Sequence, residues 1–273
     1  MDMNWQNKKH SFSLFQAVCI LLTAATLLLV GSNIFVIAFR GLKSLPECIL
    51  QRETLFAVSL SVRSACISTV LCFLLSIPAA YTITRCHLPF RGFFEILLEL
   101  TMSLPYIGLG LSLLFVFSSP LGKALKAAGF PVIFSSNGVI IAQLVVNLPF
   151  AVKLVSTAFR GSDIKLEHVA GLLGAKPGVC FFTILLPMCR NSLISAIILI
   201  WSRALGEFGA TLMLVGVTRM KTETLPGSIY LNVSTNNLGG ALASAFILLL
   251  ISTISLILAN IFTREDRKNR KYD

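Results

Sequence analysis

The sequence predicts an all-α membrane protein of six transmembrane helices, and two observations carry that expectation. Hydrophobic residues make up 55% of the 273-residue chain and charged residues only 13%, whereas a soluble domain carries about a quarter charged residues. The apolar residues are also gathered into runs that reach the roughly 20 residues a bilayer needs. Mean hydropathy is +0.83. These runs are too long for the short alternating segments of a membrane barrel. No stretch has the length and charge to fold alone in water, so no soluble domain is expected.

The first run, 14–39, follows Lys8 and Lys9. It outlasts the roughly 7–15 apolar residues of a secretory leader and reaches Arg40 without a small-residue cleavage site, so it is read as a retained span. The second, 59–83, carries Arg63 near its outer end, where the side chain can snorkel to the interface. The third, 93–117, starts with Glu95 and Glu99, expected at headgroup level or paired with Arg91. The remaining spans are expected at 137–159, 192–216 and 239–262. Gly, Pro, Ser or a charge interrupts every run, which suits a bundle packed around a path. The expected organisation is a tail, first span and outer loop in 1–53, a core in 54–262, and a basic tail in 263–273.

Six spans place both termini on one side. That side would hold Lys8, Lys9, Arg85, Arg91, Lys153, Arg160, Lys165, Lys176, Arg190, Arg264, Arg267, Lys268, Arg270 and Lys271, most of the 23 basic residues. The positive-inside rule then makes both termini cytoplasmic, in a multi-pass protein of a bacterial or archaeal cell (inner) membrane. The same rule accounts for the net charge of +11. Nucleic-acid binding is excluded, because no basic stretch carries interleaved aromatics or a reader motif. The seven cysteines show neither metal-ligand spacing nor a disulfide framework and read as small buried hydrophobes. No metal site is expected, and His10 and His87 receive no role.

Two longer connections are expected outside. Residues 118–136 contain a short interfacial helix stopped by Gly129 and Pro131. Residues 217–240 read as a turn-rich loop, and the Asn232-Val-Ser234 glycosylation pattern within it is common by chance.

The cytoplasmic loop 160–190 carries the most information. Ser162 and Asp163 are good N-caps. A helix from Ile164 to Leu173 would put Leu166, Val169, Ala170 and Leu173 on one apolar face, and Gly174 would stop it before Ala175. Pro177 can open a second surface helix towards Pro187. Such a pair is either a plain amphipathic connector or a knob offered to a partner's groove.

These residues resemble type-I ABC importer permeases, whose loop reads Glu-Ala-Ala, three residues, Gly, nine residues, then Ile-x-Leu-Pro. His168, Val169 and Ala170 occupy the triplet, Gly174 follows at the family spacing, and Ile184, Leu185, Leu186 and Pro187 complete it. The Glu and first Ala of the pattern are replaced, and Glu167, with Lys165 nearby, stands ready as the acidic contact. "SRALGEFGATLMLVG" (202–216), "TETLPGSIY" (222–230) and "SLPYIGLGLSLLF" (103–115) resemble the molybdate and tungstate permease branch, close to the sulfate permeases. The resemblance spans roughly 54–262.

It implies a homodimer enclosing one path, a cytoplasmic ABC ATPase dimer docked on the loop as a coupling helix, an extracytoplasmic substrate-binding protein, and lipid around the whole. The chain itself has no G-x-x-x-x-G-K-[ST] loop, so ATP is expected on the partner and no cofactor here. No enzyme motif is present, and a transporter subunit is expected. Cargo would be molybdate or tungstate. Sulfate, thiamine or ferric iron on the same machine, and an ATP-independent carrier, are the alternatives.

Path candidates are Ser103, Pro105, Ser202, Arg203, Gly206, Glu207, Gly209 and Thr211. Arg203 and Glu207, four apart in one predicted helix, are expected to form a structural ion pair. A sharper reading has Arg203 attracting an oxyanion.

Overall fold

A computed structural model describes residues 14–86 and 89–269. His10, His87, Lys8, Lys9, Arg270 and Lys271 lie outside the described residues. All regular structure among the described residues is helical. Five helices are long and apolar enough to cross a membrane: α1 (Leu14–Cys48), α2 (Arg52–Arg85), α6 (Ser136–Arg160), α8 (Pro177–Leu205) and α11 (Leu238–Asn269). A sixth crossing exists if α3 (Arg91–Ser103) and α4 (Tyr106–Ser118) count together, and these two are bent by 106° at Leu104–Pro105. The third span expected at 93–117 is therefore two helices rather than one. Pro105 cannot supply the N–H that would bond the Thr101 carbonyl and disfavours helix in the residue before it.

Helices α2 and α6 form the centre. On α2 the small residues Ala57, Ser61, Ser64, Ala65, Ser68 and Cys72 are buried, and two of them reach α6, Ser68 at Gln143 and Cys72 at the Leu144 carbonyl. Small residues let two backbones approach, which drives packing in lipid where apolar burial supplies no force. Helix α8 crosses both, and α11 packs on α8. Helix α1 lies outside, against α11, with apolar side chains such as Leu28 and Leu29 over 70% exposed.

Three boundaries differ from expectation. Helix α1 runs through Arg40 to Cys48. Helix α8 begins at Pro177, so the expected second surface helix is the first part of a span, and that span ends at Leu205 rather than 216. Pro187 is absorbed inside α8 because residues Phe181–Leu185 form a wider π turn, in which the Leu186 N–H reaches the Phe181 carbonyl. The stretch 217–240 is not simply turn-rich: α10 (Leu225–Ser234) lies within it, packed against α11. Asn232 is buried there and donates to Ser228 Oγ at 3.2 Å.

The short helix expected within 118–136 is observed as α5 (Pro120–Ala127), followed by Gly129 at φ +87°. Glu95 pairs with Arg91 (3.2 Å) as expected and also with Arg160 (2.7 Å), whereas Glu99 pairs with Lys153 (3.5 Å) rather than Arg91. Glu95, Glu99, Lys153 and Arg160 line a cleft of about 340 Å³ between α3 and α6.

Candidate functional site

Two places gather the candidate residues. The first is the loop between α6 and α8. Helix α7 (Ile164–Leu172) starts where Asp163 Oδ1 accepts from the Lys165 N–H at 3.0 Å. It ends in a Schellman turn: the Ala175 N–H bonds the Ala170 carbonyl (2.9 Å) and the Gly174 N–H bonds that of Gly171 (3.0 Å). Gly174 sits at φ +88°, a left-handed value that a Cβ opposes. No residue of α7 is buried. Leu172 and Leu173 are 88% and 84% exposed, and Leu166 and Val169 are also exposed. An exposed apolar end of this kind on a short helix has the chemistry of a contact surface.

Glu167 points the other way. Its Oε1 accepts from Arg85 Nε at 2.9 Å. Arg85 Nη2 also donates to the Phe159 carbonyl and to Ser162 Oγ, both at 2.8 Å. Beneath them, Phe159, Leu185, Ala158, Cys189 and Leu193 form a buried cluster joined by Phe181 and Leu186. Leu185, the variable position of the Ile-x-Leu-Pro stretch, is the most buried of that motif, while Ile184 and Leu186 are half-buried and Pro187 is exposed.

The second place is the end of α8. The helix stops at Leu205, Gly206 takes the C-cap, and a separate helix α9 (Gly209–Val215) begins after Phe208. Glu207 lies in the break, 5% exposed. Its carboxylate accepts from the N–H of Ala210 (2.8 Å), the N–H of Thr211 (3.2 Å) and the Thr211 hydroxyl. It therefore caps α9, whose first N–H groups have no partner inside the helix. The expected Arg203–Glu207 pair is overturned. Helical i, i+4 proximity requires a continuous helix, and the break at Gly206 removes it.

Arg203 instead donates to the Tyr106 hydroxyl and lies over the Phe150 ring at 4.6 Å. Among the described residues no carboxylate forms an ion pair with it. The loose end of α8 is held by Gln143, which donates to the Ala204 carbonyl at 3.0 Å and accepts from Ser68 Oγ at 3.2 Å.

Helix α9 lies against α4. A Cβ on Gly110 would meet the Ala210 carbonyl oxygen at 2.6 Å, and one on Gly209 would meet Tyr106 Cβ at 3.2 Å. The two breaks, at Pro105 and at Gly206–Phe208, thus face each other. A transport path uses such breaks, because irregular backbone at membrane depth is tolerated where it is covered by protein or lines a cavity.

A family model described as the binding-protein-dependent transport system inner membrane component matches residues 72–268, well over half of the chain. The chain belongs to this family of type-I ABC importer permeases. It is 36% identical over 203 residues to the molybdenum transport system permease protein ModB of Mycobacterium tuberculosis, covering 74% of this chain and 76% of that one. It is 29% identical over 238 residues to the sulfate transport system permease protein CysW of Synechocystis, covering 86% of each. A bacterial alginate ABC transporter, solved in complex with an alginate pentasaccharide-bound periplasmic protein, shares the fold. Its TM-score is 0.67 at 13% identity, over 93% of this chain and 94% of that one.

Within this permease the structure brings Tyr106, Arg203, Gly209 and Phe150 together, and separately Glu207 with Thr211. Ser103 stays apart: it is exposed and bonds its own helix at the Glu99 carbonyl (3.0 Å). Ser202 is half-buried, and Gly206 makes no close approach to another helix. Pro105 is the cap of α4. Sequence reasoning missed Tyr106, Phe150, Gln143 and Arg85 as parts of these sites. Arg85 ended a long apolar run directly before a loop, and such an arginine is poised to bond the carbonyls of neighbouring helix ends.

Proposed function

We propose that this permease forms the translocation path of an ATP-driven importer for a tetrahedral oxyanion, molybdate or tungstate. Two copies enclose the path and a binding protein delivers the cargo. Two ATPase subunits, on the cytoplasmic side where the basic residues lie, receive α7. The chain binds no cofactor of its own in this reading.

The observation that carries the oxyanion is Arg203. It is a guanidinium at the break of a span, half-buried, held by a hydroxyl and a ring rather than neutralised by a carboxylate. A charge at that depth is costly and serves a path or a partner. Glu207, which would repel an anion, is turned to its own helix N-terminus. The likeness to a molybdenum permease supports the cargo, while the likeness to a sulfate permease makes sulfate the competitor to exclude.

Uptake of labelled molybdate into cells or proteoliposomes tests the reading. Arg203→Ala is expected to lower uptake about tenfold or more, with Arg203→Lys intermediate, since lysine keeps the charge but not the fork. Loss of molybdate uptake to equimolar sulfate would reject the cargo. Uptake unchanged in Arg203→Ala would reject the role of the guanidinium.

A further inference from the structure

Arg85 is the last residue of α2, and its guanidinium joins three elements. It bonds the Phe159 carbonyl and the Ser162 hydroxyl at the end of α6, and Glu167 on α7, all within 2.8–2.9 Å. The Arg85 and Glu167 side chains are 9% and 12% exposed. The last carbonyls of a helix lack partners of their own, and a cation there is doubly suited. Among the described residues this is the one ion pair that reaches from α7 to a span.

Helix α7 otherwise has little to hold its tilt. It buries no side chain, touches mainly the first turns of α8, and is flanked by Gly161 and Gly174. Its own cap, Asp163 to the Lys165 N–H, stays within its first turn.

We infer that the Arg85–Glu167 pair is a positioning contact that makes α7 one body with the ends of α2 and α6, so that movement of α7 by the ATPase is passed to the spans. This rests on the docking reading above. A helix that is docked but free to swing would follow its ATPase without moving α2. The pair therefore governs coupling, and the surface presented to the ATPase is the exposed one, with Leu172, Leu173 and His168.

The test uses the permease co-expressed with its ATPase and reconstituted in liposomes with binding protein and molybdate. Three quantities are measured: ATPase co-purified, ATP hydrolysed, and molybdate taken up per ATP. Glu167→Ala and Arg85→Gln are expected to keep the ATPase and its hydrolysis, while uptake per ATP falls about tenfold or more, as loss of one partner of a shielded ion pair implies. Glu167→Asp should restore part of that ratio. Glu167→Gln keeps the side-chain volume and is read in place of Glu167→Ala if the alanine variant does not insert.

Leu173→Asp is the separate control, expected to lose the ATPase altogether. Retention of the ATPase by Leu173→Asp would overturn the docking reading itself. A wild-type ratio of uptake to hydrolysis in the Glu167 variants would overturn the positioning role and leave docking standing. Loss of the ATPase by Glu167→Ala, in parallel with Leu173→Asp, would also overturn it, since Glu167 would then be a docking contact.

Discussion

Replacing Glu207 by alanine removes one acceptor group from three donors. Two are backbone N–H groups, those of Ala210 at 2.8 Å and Thr211 at 3.2 Å, and the third is the Thr211 hydroxyl. Glu207 and Thr211 are 5% and 1% exposed, so bulk water does not reach these groups. The hydroxyl can rotate to a carbonyl of its own helix, but the two amides cannot move. Each buried donor left unpaired costs about 1–3 kcal/mol, so the loss should be roughly 3 kcal/mol after some relaxation. Glu207→Gln retains one oxygen and should cost about half as much on the same reasoning. Denaturant unfolding of the permease in micelles measures both.

The decisive comparison adds Arg203→Ala. Glu207 and Arg203 share no hydrogen-bond partner, so the two losses should sum within about 0.5 kcal/mol. An ion pair between them would instead show a coupling of about 2 kcal/mol. A coupling of that size, or a Glu207→Ala protein as stable as wild type, would refute the capping role.

Two further outcomes follow from the geometry. Gly110→Ala places a Cβ 2.6 Å from the Ala210 carbonyl oxygen and 2.8 Å from Met213 Cβ. It should cost about 1–3 kcal/mol by overpacking and lower uptake by parting α4 from α9, as unfolding and transport assays would show. Gly174→Ala forces a Cβ into the left-handed conformation at φ +88°, a cost of about 1–2 kcal/mol confined to the loop. It should leave unfolding of the spans unchanged and weaken ATPase co-purification.

Helix α7 was legible because local chemistry decides it. Asp163 can reach the Lys165 N–H and Gly174 can take a positive φ whatever the rest of the fold does, and both are observed doing so. The end of α8 was not legible. Averaged over its whole length, 192–216 stays apolar despite Arg203 and Glu207, and a glycine such as Gly206 is tolerated inside membrane helices. The same averaging hid the bend at Pro105. Pro187 misled in the other direction: it signals a helix boundary, yet the π turn at Phe181–Leu185 lets α8 carry it. The stretch 217–240 lacks apolar periodicity and so read as a loop. Burial of Thr222, Glu223 and Thr224 there depends on α2, whose Ser61 hydroxyl accepts from the Leu225 N–H at 2.7 Å.

One pattern recurs, and its cause is physical. At both sites the sequence suggested another partner for an acidic side chain: Arg203 for Glu207, and the ATPase for Glu167. In the fold, both carboxylates meet groups of the chain itself. Glu207 meets the open N-terminus of α9, and Glu167 meets Arg85 from the end of a helix 82 residues away. Helix ends have unpaired polar groups that must be satisfied where water is scarce, and a nearby carboxylate or guanidinium is drawn to them first. The groups then left over are those that can serve a partner. At the broken span the remainder is the cation Arg203, which suits an anion. At the loop it is the apolar pair Leu172 and Leu173, which suits a groove in another protein. Satisfying the helix ends thus decides which chemistry each site has to offer.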